Sequence, residues 1–208
     1  MSGLFISFEG IDGVGKSTQA DLLEHYLNER GRKVLRTREP GGTELGDQIR
    51  DLLLHFKGGV SPRSEALLYA ADRSHHIATK VRPALNAGTD VITDRYLDSS
   101  VAYQGAGRIL GAQEVRDLSL WATEGLLPDL TVLLDLEPAD AAARRNSTGS
   151  APDRLERESL DFFEKVRNEY LTLAANEPNR FLVLDARGDI ATLQELIRVR
   201  IDALLESA

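Results

Sequence analysis

Short apolar runs bounded by turn residues alternate with longer segments of helical spacing along this 208-residue chain. That alternation is the mark of a parallel sheet flanked by helices. Five strands are predicted, at residues 4–8, 33–37, 90–93, 130–136 and 181–184. They are mostly apolar throughout, as strands covered on both faces are.

The helices are legible from their faces and ends. The first, predicted over 16–30, puts Leu22, Leu23, Tyr26 and Leu27 on one side and stops at Gly31, the residue suited to a left-handed helix end. A second is predicted over 44–55. A third starts at Ser61-Pro62, a cap followed by a first-turn proline, and continues past Arg73 until Pro83 kinks or interrupts it. Further helices are predicted over 112–124, 140–145, 160–177 and 190–205, and no internal repeat is visible. The one long stretch of loop composition, Asn146-Ser147-Thr148-Gly149-Ser150-Ala151-Pro152, lies between helices and is bracketed by arginines; it reads as a mobile flap or as an ordinary solvated loop.

Composition narrows the class. A chain of this length with 42% hydrophobic residues builds one substantial core, so a single domain over 1–208 is expected. The formal net charge of −8 argues against a broad nucleic-acid or membrane-binding face. Any phosphate site is therefore local. No cysteine is present, which excludes disulfides and thiolate chemistry. No apolar run approaches the ~20 residues that span a bilayer, and no signal-like segment precedes the first strand, so a cytoplasmic location is expected.

The first strand runs into Gly10-Ile11-Asp12-Gly13-Val14-Gly15-Lys16-Ser17, which matches G-x-x-x-x-G-K-[ST] and opens the first helix. Glycines let such a loop curl its amides around phosphates, and the helix N-terminus adds positive potential. Lys16 is then placed for the β- and γ-phosphates of ATP and the Ser17 hydroxyl for Mg²⁺, with Thr18 following in the first turn. Asp12 adds negative charge beside that ligand; it either holds an acceptor hydroxyl or faces solvent in the turn. Asn-Lys-x-Asp, the guanine-reading element of GTPases, does not occur.

Arginines Arg38, Arg50, Arg73, Arg95, Arg144, Arg145, Arg154 and Arg157 stand in or beside predicted loops. Singly each is an ordinary surface charge; together they suit an enzyme that gathers two phosphorylated ligands. Asp94-Arg95-Tyr96 follows the third strand, at the sheet edge where ligands of open α/β folds bind.

These residues carry a resemblance. Phe8-Glu9-Gly10 through Thr18, Thr37-Arg38-Glu39-Pro40-Gly41-Gly42, Leu68-Tyr69-Ala70-Ala71-Asp72-Arg73, Asp94-Arg95-Tyr96, Ser99-Ser100-Val101-Ala102-Tyr103-Gln104-Gly105, Pro128-Asp129-Leu130 and Asp153-Arg154-Leu155-Glu156 appear in the order found in thymidylate kinases. The chain resembles that family along nearly its whole length. The resemblance implies a P-loop α/β fold and transfer of the γ-phosphate of ATP to dTMP. It implies Tyr69, usually phenylalanine, stacked on thymine; Arg73, Ser100 and Gln104 reading the base, with Ser99 beside them; Tyr103 crowding the 2′ position of the sugar; and Asp12 holding the 3′-hydroxyl. It surrounds the monophosphate with Arg38, Glu39, Pro40, Arg50 and Arg95.

The loop has no arginine among Ile11, Asp12, Gly13 and Val14, whereas the lid of about 144–157 has Arg144, Arg145, Arg154 and Arg157. This is similar to the mostly bacterial members that supply catalytic cations from the lid. Arg154 is expected to act with Lys16 and Arg95, Arg157 to be its substitute, and Arg144 to contact ATP. Asp94, and secondarily Glu9, is expected to organise Mg²⁺, and a homodimer is implied, with the third helix and the 112–124 helix bearing Trp121 as surfaces. The alternatives are a P-loop kinase for dUMP or CMP and a P-loop ATPase switch without an acceptor.

Overall fold

A computed structural model describes residues 3–146 and 153–207. Strands β1 (Phe5–Glu9), β2 (Val34–Arg38), β3 (Asp90–Asp94), β4 (Leu130–Asp135) and β5 (Phe181–Asp185) form one sheet in the order β2-β3-β1-β4-β5. Every pairing is parallel. The helices are α1 (Lys16–Glu29), α2 (Glu44–His55), α3 (Pro62–His76), α4 (Arg82–Asn86), α5 (Leu97–Ser100), α6 (Ala112–Ala122), α7 (Pro138–Asn146), α8 (Leu160–Asn176) and α9 (Ile190–Ser207).

All five strands therefore lie within a residue or so of their predicted positions. Burial explains why: every residue of β1 is buried, and β3 and β4 are buried up to their last residue. Two aspartates tie the start of β1 to its neighbours. Asp90 accepts from the Leu4 amide at 2.8 Å and Asp129 from the Phe5 amide at 2.7 Å. The Pro128-Asp129-Leu130 block thus has a structural purpose, since an unmatched amide at a buried strand end is expensive.

The caps at α2 and α3 form as the sequence requires. Thr43 accepts from the Gly46 amide at 3.0 Å and Ser61 from the Ser64 amide at 3.3 Å. Pro83 does not break the third helix. The path continues from α3 through a wider π-helical turn, Ile77–Val81, into α4, whose first turn holds the proline. An expanded turn ahead of a proline makes room for a ring that has no amide to donate.

One helical segment has no counterpart in the predicted set. The chain from α5 runs on as a π-helical stretch, Val101–Gly107, buried at all but its last two residues. A segment buried all round shows no apolar stripe, so periodicity cannot reveal it. It packs against α6 and α8, and Arg180, just before β5, pins it to the sheet by donating to Asp98 at 2.6 and 2.9 Å. Ser99 and Ser100 lie inside this continuous helical run, and the Ser100 side chain makes no cap hydrogen bond. The loop predicted over Asn146–Pro152 falls, from residue 147 to 152, outside the described residues.

Candidate functional site

The strand order places the loops after β1 and β3 side by side at one end of the sheet, and both carry site residues. In the loop after β1, Gly10 and Gly13 have φ of 125° and 91°. A Cβ there would lie 2.5 Å from the Leu134 carbonyl oxygen or 2.6 Å from that of Ala141. Only glycine meets both the backbone requirement and the close approach. Lys16 is buried and folds back over the loop, donating to the Gly10 and Ile11 carbonyls at 3.1 Å each and approaching Asp12 at 3.5 Å. Ser17 and Thr18 are exposed on the first turn of α1, and Ile11 and Val14 are buried beneath the loop.

Arg95 joins the two loops. Its backbone is left-handed, φ 67°, which is uncommon and strained outside glycine, and its amide is held by the Phe8 carbonyl at 3.0 Å. The guanidinium donates to Asp12 at 2.7 Å, to the Gly10 carbonyl at 3.0 Å and to Ser99 at 3.1 Å, with the Tyr103 ring 5.1 Å away. Burial alone would push the Asp12 carboxyl up; the charges of Arg95 and then Lys16 outweigh it and hold Asp12 below the usual carboxylate range. Asp12 is thus no free turn aspartate.

Beside this pair opens a cavity of about 250 Å³. Asp12, Arg38, Glu39, Pro40, Arg50, Tyr69, Arg73, Arg95, Ser99, Ser100, Tyr103 and Gln104 all line it, together with Asp94, Leu54, Asp153, Leu155 and Glu156. Its walls come from the β2–α2 turn, α3, the loop after β3 and the buried helix 97–107. Arg50 reaches back to the Pro40 carbonyl at 2.9 Å, and Arg38 is exposed near Asp47. Tyr69 and Tyr103 are nearly buried, and burial raises both phenols well above their ordinary range.

Arg73 is fully buried. It donates to Glu39 at 2.6 Å, Ser119 at 3.1 Å, Ser100 at 3.0 Å and the Tyr96 carbonyl at 3.2 Å. Glu39 is held on its other oxygen by His76 at 2.9 Å, which fixes the turn into the cavity. Removing one partner of such a buried pair costs about 3–5 kcal/mol. The neighbouring Asp72 accepts from the Gly41 amide at 3.1 Å, while its other oxygen has no partner among the described residues. Burial, then repulsion from Glu39, pushes its carboxyl up to about 7.

The folded chain therefore keeps a proton on Asp72 that the unfolded chain has already released between about pH 4 and 7. Stability falls as pH rises through that window. Asp72→Asn is expected to flatten this dependence and to gain on the order of 1–3 kcal/mol on the parent at pH 8 relative to pH 5. Urea unfolding of both proteins at the two pH values measures it.

The remaining predicted residues are spread more widely. Arg154 stands between the cavity-lining Asp153 and Leu155 but points away from the lining itself, donating to the Leu53 carbonyl at 2.8 Å and to Glu65 at 2.5 Å. Asp153 shapes that turn by accepting from the Leu155 and Glu156 amides, and Leu155 packs with Leu53, Leu54 and Tyr69. Arg157 is exposed. Arg144 stands on the far side of the loop, donating to the Ala186 carbonyl at 2.9 Å. There it lines a groove with Val14, Gly15, Thr18, Gln19 and the 186–193 segment. Sequence reasoning missed that segment, which carries no motif and reaches the loop only because the β5–α9 turn closes on α1, Gln19 donating to the Ile190 carbonyl at 3.0 Å. It also missed Glu65, which is fully buried beneath Gln104.

Two carboxylates were expected near Mg²⁺. Asp94 lines the cavity, and its Oδ1 is buried with no partner among the described residues. Glu9 is placed otherwise: it is fully buried, accepting from the Tyr96 amide at 2.7 Å, Ser99 at 2.5 Å and Tyr170 at 2.9 Å. Burial, then the charge of Asp98, pushes it up to about 7. Glu9 braces the segment after β3. Among the described residues no cluster of three metal-binding side chains occurs. Asp94 offers an orphaned, buried carboxylate oxygen and Ser17 an exposed hydroxyl on the first turn of α1, and oxygen donors of this kind suit a hard cation that keeps most of its ligands as phosphate and water.

One polyphosphate cradle shares a carboxylate and an arginine with a second, arginine-lined cavity, and that is the plan of a P-loop nucleotide kinase. The family model described as Thymidylate kinase matches residues 8–197. A thymidylate kinase of Leifsonia xyli subsp. xyli is 62% identical over 96% of this chain and 95% of its own length. One of Clavibacter sepedonicus is 58% identical over 99% and 97%, and one of Desulforudis audaxviator 50% identical over 99% and 93%. The chain belongs to the thymidylate kinase family.

Proposed function

We propose that this chain transfers the γ-phosphate of ATP to dTMP, releasing dTDP and ADP, as one kinase domain with a lid of about residues 144–157. The observation that carries this is the Asp12–Arg95 pair, which stands between the P-loop and the cavity and so belongs to both ligands at once. ATP would lie with its phosphates in the loop of Gly10 to Thr18 and its base along the Arg144 groove. Lys16, folded back on loop carbonyls, has only to swing outward to meet phosphate oxygens.

In the cavity, dTMP would stack its base on Tyr69, with Gln104, Ser100 and Arg73 at its polar edge. Tyr103 would close the 2′ side of the sugar and Asp12 would accept from the 3′-hydroxyl. Arg38, Arg50, Arg95 and the Glu39-Pro40 turn would surround the monophosphate. That phosphate has a second pKa near ~6 and is already largely dianionic at neutral pH, so no general base is required. Catalysis is then alignment of donor and acceptor with cationic stabilisation of the transferred group. Mg²⁺, held by Ser17 and Asp94 directly or through water, would neutralise the phosphate charge. Arg154, with Arg157 as the alternative, would add a cation when the lid moves.

The apolar groove between α3 and α6 supports a homodimer. Leu67 is 58% and Trp121 79% exposed there, too much for burial within one chain to explain either. Sedimentation is expected to give twice the 22.9 kDa chain mass. Among the described residues no helix is long and apolar enough to cross a membrane, which accords with the cytoplasmic location we propose. The experiment that tests the function is ADP release with and without dTMP: a kinase waits for the acceptor, whereas turnover indifferent to dTMP overturns the reading.

A further inference from the structure

Glu65 is a fully buried carboxylate that neither the loop nor the cavity wall requires for phosphate binding. One oxygen accepts from Gln104 Nε2 at 2.8 Å, the other from Arg154 at 2.5 Å, and Arg108 approaches both at 3.3 and 3.5 Å. A carboxylate can only accept, so the Gln104 amide must present its nitrogen to Glu65. Its oxygen is thereby turned away from Glu65, and Gln104 is one of the residues that line the cavity.

Resting on the dTMP reading above, we propose that Glu65 is a specificity-determining positioning residue: it locks the Gln104 amide so that the acceptor base meets an oxygen. Pyrimidines differ at the matching position. Thymine and uracil carry a donor at N3, whereas N3 of cytosine is an acceptor. A fixed amide oxygen pairs with the first two and opposes the third. A freely turning amide would accept either by rotating about its last torsion, and the share of the discrimination made at N3 would be lost. A site built to hydrogen-bond one polar edge rejects the mismatched analogue strongly because its buried partner is left unsatisfied.

The test is Glu65→Gln, whose side chain has nearly the same shape but offers both a donor and an acceptor to Gln104. With ATP as donor, the kcat/KM preference for dTMP over dCMP is expected to fall about tenfold or more. The preference for dTMP over dUMP should stay within about twofold, since both bases present the same donor. Any change in turnover from release of Arg154 acts on all acceptors and cancels in these ratios. Circular dichroism and a thermal melt establish that the variant is folded.

A folded variant that keeps the parental preference over dCMP overturns the role of Glu65 while leaving the dTMP reading intact. A parent that phosphorylates dCMP as readily as dTMP overturns both. Should the variant not fold, the parent alone decides. Bonded to a buried carboxylate, the Gln104 side-chain amide protons should exchange with solvent at least tenfold more slowly than those of an exposed glutamine. Exchange at the free-amide rate overturns the proposal.

Discussion

Arg154→Ala is expected to lower turnover by about 10³-fold or more while changing dTMP affinity by less than about tenfold. The loop over Gly10 to Ser17 contains no arginine, so the cation that stabilises the transferred phosphoryl group has to come from elsewhere. Here Arg154 is held on the acceptor side by Glu65 and the Leu53 carbonyl. Its catalytic position is therefore reached by exchanging these contacts for phosphate oxygens. Glu65 keeps Arg108 and Gln104 when Arg154 is truncated, which limits the structural damage. Steady-state turnover together with calorimetric dTMP binding separates the two effects. Equal turnover in the variant would move the role to Arg157, and an equal loss in both quantities would make Arg154 a binding residue.

The second large effect is expected at Arg95. Arg95→Met removes the guanidinium that bonds Asp12, the Gly10 carbonyl and Ser99 together, and kcat/KM for dTMP is expected to fall by about 10²–10³. Arg95→Lys should recover little of this, because one ammonium cannot reproduce the planar fork that spans the two loops. Kinetics of the two variants at saturating ATP would show it; recovery to within about threefold by lysine would mean that only a point charge is needed there.

How much of this was legible in the sequence depended on how local each signal is. The strands read correctly because a sheet covered on both sides demands runs such as Phe5-Ile6-Ser7-Phe8, almost wholly apolar. The P-loop read correctly because its glycines are required by backbone angles and close approaches within a few residues. The helix from Leu97 to Gly107 left no trace, since burial on every side removes the polar face that makes a helix periodic. Glu65 is a first-turn acid of α3 with no motif around it, and only the tertiary fold puts Gln104, Arg108 and Arg154 beside it.

Charged residues near the site were the least legible. Glu9 and Asp94 end adjacent paired strands and look alike in sequence. The fold turns Glu9 inward onto Tyr96, Ser99 and Tyr170, and leaves one oxygen of Asp94, at the cavity, without a partner among the described residues. Side-chain direction at a strand end alternates with a period of two, so a shift of one residue separates a structural brace from a ligand-facing group.

The measurement that bears most directly on the whole account is kcat/KM for a panel of monophosphates, dTMP, dUMP, CMP and AMP, with ATP and Mg²⁺. The account predicts dTMP first. It places dUMP roughly 10- to 200-fold lower, the worth of one methyl group in an apolar pocket, and CMP and AMP far below both. Preference for CMP or AMP would contradict it.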